Sequence, residues 1–253
     1  MKIFINPGHG DKLNGTYDPG AIGATGLHEA KVNEVIGCIL ESKLIKAGID
    51  TYYYQSGDLE AITTRANIWK ADYFVSIHAN AFSDRKAQGI ETWYYSDSPR
   101  GQNLAQSIQT SLVKSLGRVD RGIKATTSFY VIRNTAMPAV LAEIGFISNP
   151  AEEALMMIEE WWEDAAEALA RGICSYVGVA YPEPEPGPES EPEPEAPKDL
   201  ETGEPGKQTQ EPEPDPESGP KPEPEPPEAK PQKLSLWRFF IEILKEIAKT
   251  LKR

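Results

Sequence analysis

Residues 73–78 of this 253-residue chain read Tyr-Phe-Val-Ser-Ile-His, an almost continuously apolar run that ends on a histidine. A short run without polar alternation is typical of a strand buried on both faces, in the middle of a parallel sheet. Other strand-like runs occur at 2–6, 49–55, 89–95, 129–132 and 139–144. The sequence therefore predicts a sheet with residues 73–78 as a central strand.

Helical spacing fills the intervals between these strands. Apolar residues recur every three or four positions over 28–47, 59–71 and 102–116, and residues 150–177 hold one or two further helices. Strands that alternate with helices predict an α/β fold, here a single three-layer domain over residues 1–180. Its mostly parallel central sheet is flanked by helices, and its ligand-binding loops are expected at the strand ends.

The composition changes abruptly after Tyr181. Residues 181–232 hold 17 of the 22 prolines and carry 16 Asp/Glu against 4 Lys/Arg, which predicts a disordered Pro/Glu-rich linker. Residues 233–253 return to helical spacing with 6 Lys/Arg and 2 Glu, which predicts an isolated basic amphipathic helix. Such a helix needs an anionic membrane surface, a second copy of itself or a partner's groove.

The charge distribution argues against several functional classes. Residues 1–180 carry 16 Lys/Arg and 21 Asp/Glu, so nucleic acid is not an expected partner. No apolar run reaches the ~18–20 residues of a membrane span. The first residues lack the apolar core of a signal peptide. We therefore expect synthesis in the cytoplasm without a recognisable signal peptide.

Two of the three histidines lie at the ends of predicted strands. His9 follows the first strand and His78 ends the strand at 73–78, so both imidazoles reach one edge if these strands are parallel neighbours. Glu29, in the opening turn of the first long helix, can reach the same edge. Two imidazoles and a carboxylate with an open fourth position form a catalytic zinc arrangement. Structural hydrogen bonding of these histidines is the alternative.

Glu143 lies in the otherwise apolar run Val-Leu-Ala-Glu-Ile-Gly-Phe-Ile at 140–147. A buried, unpaired carboxylate is energetically costly or takes up a proton. One interpretation is an ion pair with Arg65 or Arg121. The other is a general base with a raised pKa beside a metal-activated water. The residues alone leave both interpretations open.

Four segments resemble, in order, the signature blocks of the zinc-dependent N-acetylmuramoyl-L-alanine amidases of bacterial peptidoglycan, of autolysin or phage endolysin type. They are Pro-Gly-His-Gly at 7–10, Gly-Leu-His-Glu-Ala-Lys-Val-Asn at 26–33, Ser-Ile-His-Ala-Asn-Ala at 76–81 and Ala-Glu-Ile-Gly-Phe-Ile-Ser-Asn-Pro at 142–150. The resemblance covers residues 1 to about 178 and excludes the tail.

The resemblance implies one Zn²⁺ per catalytic domain, held by His9, Glu29 and His78, with Glu143 as the catalytic glutamate. Three further residues, Asn80, Arg65 and Arg121, fall where contacts to the substrate are plausible. The implied reaction is hydrolysis of the amide between N-acetylmuramic acid and L-alanine, for cell-wall lysis or remodelling.

Two other functions stay open at this point. One is a zinc peptidase that cleaves another peptidoglycan amide, and the other is a non-catalytic targeting protein that acts through its C-terminal helix. For the amidase, we expect action on the cell wall after lysis or non-standard release, with the linker and terminal helix as a tether.

Overall fold

The computed structural model describes residues 1–182, so the predicted linker beyond Pro182 and the predicted helix at 233–253 lie outside the described residues. Within residues 1–182 the strands are Lys2–Pro7 (β1), Gly10–Asp11 (β2), Tyr17–Asp18 (β3), Asp50–Tyr53 (β4), Tyr73–Asn80 (β5), Ile90–Tyr95 (β6), Asp120–Thr126 (β7) and Ala139–Phe146 (β8). The helices are Glu29–Lys46 (α1), Leu59–Trp69 (α2), Pro99–Leu116 (α3), Tyr130–Arg133 (α4), Pro150–Leu155 (α5) and Glu159–Val177 (α6).

Six of these strands form the main sheet, in the order β4-β1-β5-β8-β6-β7. Every neighbouring pair is parallel except β6 and β8, which are antiparallel. β5 lies in the interior of the sheet, and Phe74, Val75, Ser76 and Ile77 are completely buried, as their apolar run predicts. The predicted mostly parallel α/β sheet is therefore confirmed.

Helices cover both faces of the sheet. α1 and α3 both pack against α6 on one face, while α2 packs against α4 on the other. The second face has a core cluster that includes Phe4, Ile62, Phe74, Val131 and Leu141. Within residues 1–182, no helix has the length and apolarity that crossing a membrane would require.

The prediction of a strand at 129–132 is wrong. Residues 130–133 form the short helix α4, which buries Val131 and Ile132 against the sheet. A four-residue apolar run carries too few residues to distinguish one helical turn from a strand. The sequence prediction also lacked β7, the strand at one edge of the main sheet. Its residues are mostly half-exposed or exposed, so they give little apolar signal.

Candidate active site

The parallel pairing of β1 and β5 brings three predicted ligands to one edge of the sheet. His9 lies two residues after β1, His78 lies near the end of β5, and Glu29 is the first residue of α1. Glu29 Oε1 is 2.8 Å from His78 Nδ1, and Glu29 Oε2 is 3.2 Å from His9 Nε2. The carboxylate therefore lies between the two imidazoles.

Two glycines make this close approach possible. A Cβ atom at Gly8 would lie 2.1 Å from the ring of His78. At Gly20, where φ is +67°, it would lie 2.6 Å from both Glu29 Oε2 and the ring of His9. Any larger residue would push the three side chains apart, so the loop is shaped to keep them together.

The cluster carries the charge pattern of a cation site. Burial alone would raise the pKa of Glu29, but hydrogen bonds from His78 and His9 hold it below its ordinary value. Burial alone would lower the pKa of His9, but Glu29 and then Asp18 raise it overall. One nitrogen or oxygen from each of the three residues lies within 4.8 Å of the others. These residues could hold a metal ion.

Asp18 and Glu153 support this arrangement from outside the cluster. Asp18 Oδ1 lies 3.2 Å from His9 Nδ1, the nitrogen that faces away from Glu29. Glu153 on α5 is buried and accepts hydrogen bonds from the backbone N–H groups of Ala24 and Thr25. It thereby ties down the loop whose Ala21 N–H donates to Glu29 Oε2.

Glu143 lies on β8 beside this cluster, opposite His78 in the register of β5 and β8. Its side chain is almost entirely buried, and Oε2 has no hydrogen-bond partner. Burial raises its pKa well above the ordinary value, and the charges of Glu29 and Glu91 raise it further. The interpretation of Glu143 as an ion-paired structural residue is therefore wrong.

The two arginines considered as its partners are engaged elsewhere. The Arg121 Nε group donates to Glu91 Oε2 at 2.6 Å, and the Arg65 guanidinium lies 4.4 Å from the centre of the Tyr54 ring. Asn80 also donates to Glu91, at 3.1 Å. The structure thus brings Asn80 and Arg121 together, whereas Arg65 is exposed on α2.

Glu91 is the residue of this region that sequence reasoning missed. It is 4% exposed, and it lies opposite Glu143 in the antiparallel register of β6 and β8. Arg121 and Lys124 hold its pKa below the ordinary value against the effect of burial. A glutamate within the predicted strand 89–95 is the only signal in the sequence that could have indicated it.

A cavity of about 440 Å³ opens in front of these groups. His9, His78 and Glu143 line it together with apolar residues that include Leu59 and Phe129. The two histidines and Glu143 therefore open onto one cavity with a mixed polar and apolar lining.

A family model described as N-acetylmuramoyl-L-alanine amidase matches residues 3–175. The chain belongs to this family. It is 38% identical over 180 residues to two Bacillus subtilis (strain 168) proteins, the uncharacterised protein YqiI and the N-acetylmuramoyl-L-alanine amidase LytC. Each match covers 69% of this chain, but it covers 84% of YqiI and only 35% of LytC.

The fold of this amidase chain also matches solved amidase structures. The crystal structure of the N-acetylmuramoyl-L-alanine amidase from Clostridium difficile 630 matches with a TM-score of 0.65 and 34% sequence identity, over 70% of this chain and 96% of that one. The sequence and structural matches together show that this chain is a peptidoglycan amidase.

Proposed function

We propose that this amidase hydrolyses the N-acetylmuramoyl–L-alanine amide of peptidoglycan with one zinc ion, which His9, Glu29 and His78 bind. In this proposal Glu143 is the general base. The observation that carries the proposal is the convergence of three metal-binding groups beside a buried carboxylate whose Oε2 has no partner.

The donor set is suited to zinc. Two imidazoles and one carboxylate are typical of catalytic zinc sites, whereas Mg²⁺ and Ca²⁺ prefer oxygen ligands. One ligand atom from each of His9, Glu29 and His78 lies within 4.8 Å of the other two, so the three residues are close enough to bind one ion. When bound, zinc supplies Lewis acidity at the amide carbonyl and lowers the pKa of a coordinated water.

Glu143 has the environment that a proton carrier at this position needs. Burial raises its pKa well above the ordinary value, so the carboxyl group holds a proton more readily than an exposed glutamate does. It takes a proton from the attacking water and then delivers that proton to the departing amine of L-alanine. The products are the lactyl carboxylate on muramic acid and a stem peptide with a free amino group.

We propose Asn80 and Arg121 as contacts to the substrate. Both meet at Glu91, which is the neighbour of Glu143 across the sheet. Arg65 is exposed over Tyr54 and is proposed as a contact to a more distant part of the polymer.

A tethering role is proposed for the C-terminal segment on the evidence of its sequence. Residues 233–253 carry 6 Lys/Arg against 2 Glu beside Trp237, Phe239 and Phe240, a composition that suits an anionic membrane surface. Self-association through the same segment is the alternative. Sedimentation of the full chain with anionic vesicles, compared with neutral vesicles, distinguishes the two.

The central experiment measures amide hydrolysis of purified peptidoglycan by the wild type, by chelated protein with and without added zinc, and by Glu143→Gln. The Glu143→Gln variant should lose about 10²–10⁴-fold in rate. A matched control, Glu160→Gln, changes an exposed glutamate on α6 and should keep full activity. Mass spectrometry should find the free lactyl carboxylate and free N-terminal L-alanine. Cleavage within the stem peptide instead would identify a peptidase, and full activity of Glu143→Gln would refute the role of Glu143.

A further inference from the structure

Glu91 is the meeting point of four donors. Asn80 Nδ2 and Trp93 Nε1 each lie 3.1 Å from Oε1, while Arg121 Nε at 2.6 Å and Lys124 Nζ at 2.5 Å share Oε2. Two cations therefore share one carboxylate, which leaves a surplus of one positive charge while Glu143 is protonated.

The two cations are fixed in place but still accessible. Arg121 lies 4.8 Å from the centre of the Phe146 ring and Lys124 lies 5.2 Å from that of Trp93. Their side chains remain 35% and 32% exposed, respectively, whereas that of Glu91 is 5% exposed. A cation already held between a carboxylate and a ring loses little conformational freedom when it binds an anion.

The surplus charge belongs to the face of the sheet that carries the cavity. Glu91 is opposite Glu143 in the β6–β8 register, and Lys124 is opposite Trp93 in the β6–β7 register. The nearest acidic group along the chain, Asp120, instead accepts from Gln109 on α3, the helix on the other face. The carboxylate of Asp120 therefore lies on the α3 side and makes no ion pair with Arg121 or Lys124 among the described residues.

The chemistry of the proposed reaction determines which part of the substrate lies beside Arg121 and Lys124. Because Glu143 delivers a proton to the departing amine, the stem peptide leaves on the β8 side of the site. Strands lie about 4.8 Å apart, so β7 is about 10 Å from β8. A carboxylate on the second stem residue can lie about 7 Å from the departing amine nitrogen. If the amine hydrogen-bonds to Glu143 and the carboxylate hydrogen-bonds to the two cations, the dipeptide spans the distance between β8 and β7.

We propose that Arg121 and Lys124, held by Glu91, form a subsite for a free carboxylate on the second residue of the stem peptide. The subsite makes the enzyme selective for a stem peptide whose second residue is acidic and unmodified. This inference rests on the proposed function, because the leaving direction follows from the role of Glu143. Glu91 is then a positioning residue for the two cations.

The test compares two soluble muramoyl-L-alanyl substrates, one with glutamate as the second residue and one with its α-carboxamide. The wild type should favour the free carboxylate by about ten-fold in kcat/KM, mainly through KM, because charge-assisted hydrogen bonds are lost with the amide. Lys124→Gln and Arg121→Gln should each bring that ratio close to one, since either change removes the surplus charge. Lys114→Gln, which changes an exposed lysine on α3, should keep the wild-type ratio.

Other results would overturn the proposal. A wild-type ratio near one refutes it, as does an unchanged ratio in the Lys124 and Arg121 variants. An equal loss on both substrates would show that Lys124 acts only on the charge of Glu143. Calorimetric binding of the free dipeptide acid and its amide provides a second readout. If neither substrate is hydrolysed but the acid still binds about ten-fold more tightly, the amidase mechanism fails and the subsite stands.

Discussion

The buried carboxyl group of Glu143 makes the stability of the metal-free protein depend on pH, and Glu143→Gln should remove that dependence. In the folded chain its pKa is raised well above the ordinary value, primarily by burial. In the unfolded chain the group titrates near its ordinary pKa of about 4.3. Between these two pKa values the folded state holds a proton that the unfolded state has released.

The size of the effect follows from this difference of one proton. The contribution of Glu143 to the free energy of unfolding should fall by about 1.4 kcal/mol for each pH unit across that window. Well below pH 4 Glu143 is protonated in both the folded and the unfolded wild type. Its contribution to stability is therefore fully present there and is lost as the pH rises. Glutamine does not titrate, so the stability of Glu143→Gln relative to the wild type should increase from pH 5 upward.

Urea unfolding of the full, chelated chain, followed by tryptophan fluorescence from pH 5 to pH 8, measures this difference. The exposed Glu160→Gln variant serves as the control and should show a difference from the wild type that does not vary with pH. Comparable m-values are required, so that a change in midpoint reports stability. If the Glu143→Gln curve runs parallel to the wild-type curve, the carboxyl group titrates normally and is not a base with a raised pKa.

Three other perturbations test the metal cluster, the core and the tail. Asp18→Asn should weaken zinc binding about 10–100-fold in a chelator competition, because the carboxylate orients His9. The control Asp164→Asn, on the exposed surface of α6, should bind zinc like the wild type. Equal zinc affinities of Asp18→Asn and the wild type would contradict the role of Asp18. Phe74→Ala should destabilise the domain by about 3–5 kcal/mol in urea unfolding, because Phe74 is completely buried; a loss below 1 kcal/mol would mean that the site refills. Deletion of residues 182–253 should leave hydrolysis of small muropeptides unchanged but weaken lysis of whole cells, and equal lysis would argue against tethering.

The architecture and the reactive cluster were predictable because their signals are local. The apolar run at 73–78 indicated an interior strand, and the two strand-end histidines would share an edge if their strands were parallel neighbours, as β1 and β5 are. The position of Glu29 followed from the start of α1. In each case the sequence placed the residue within its element, and the pairing of β1 with β5 then brought the side chains together.

The opposite edge of the sheet was not predictable in the same way. β7 is an edge strand that pairs only with β6 in the main sheet. Its residues are mostly half-exposed or exposed, so its sequence carries no strong apolar periodicity. α4 is a single turn whose apolar residues Val131 and Ile132 pack on the sheet just as strand residues would. Both assignments depend on tertiary packing that no window of the sequence contains.

Glu91 and Glu143 show how two buried glutamates on neighbouring strands can have pKa values shifted in opposite directions. Both are buried glutamates, and they face each other across β6 and β8. Glu91 receives donors from four side chains and is held ionised, whereas Glu143 has an unpartnered oxygen and a raised pKa. The paired carboxylate anchors two cations, and these keep its pKa low. The unpaired carboxylate has a raised pKa and lies opposite His78, which is the environment that the proposed proton transfer requires.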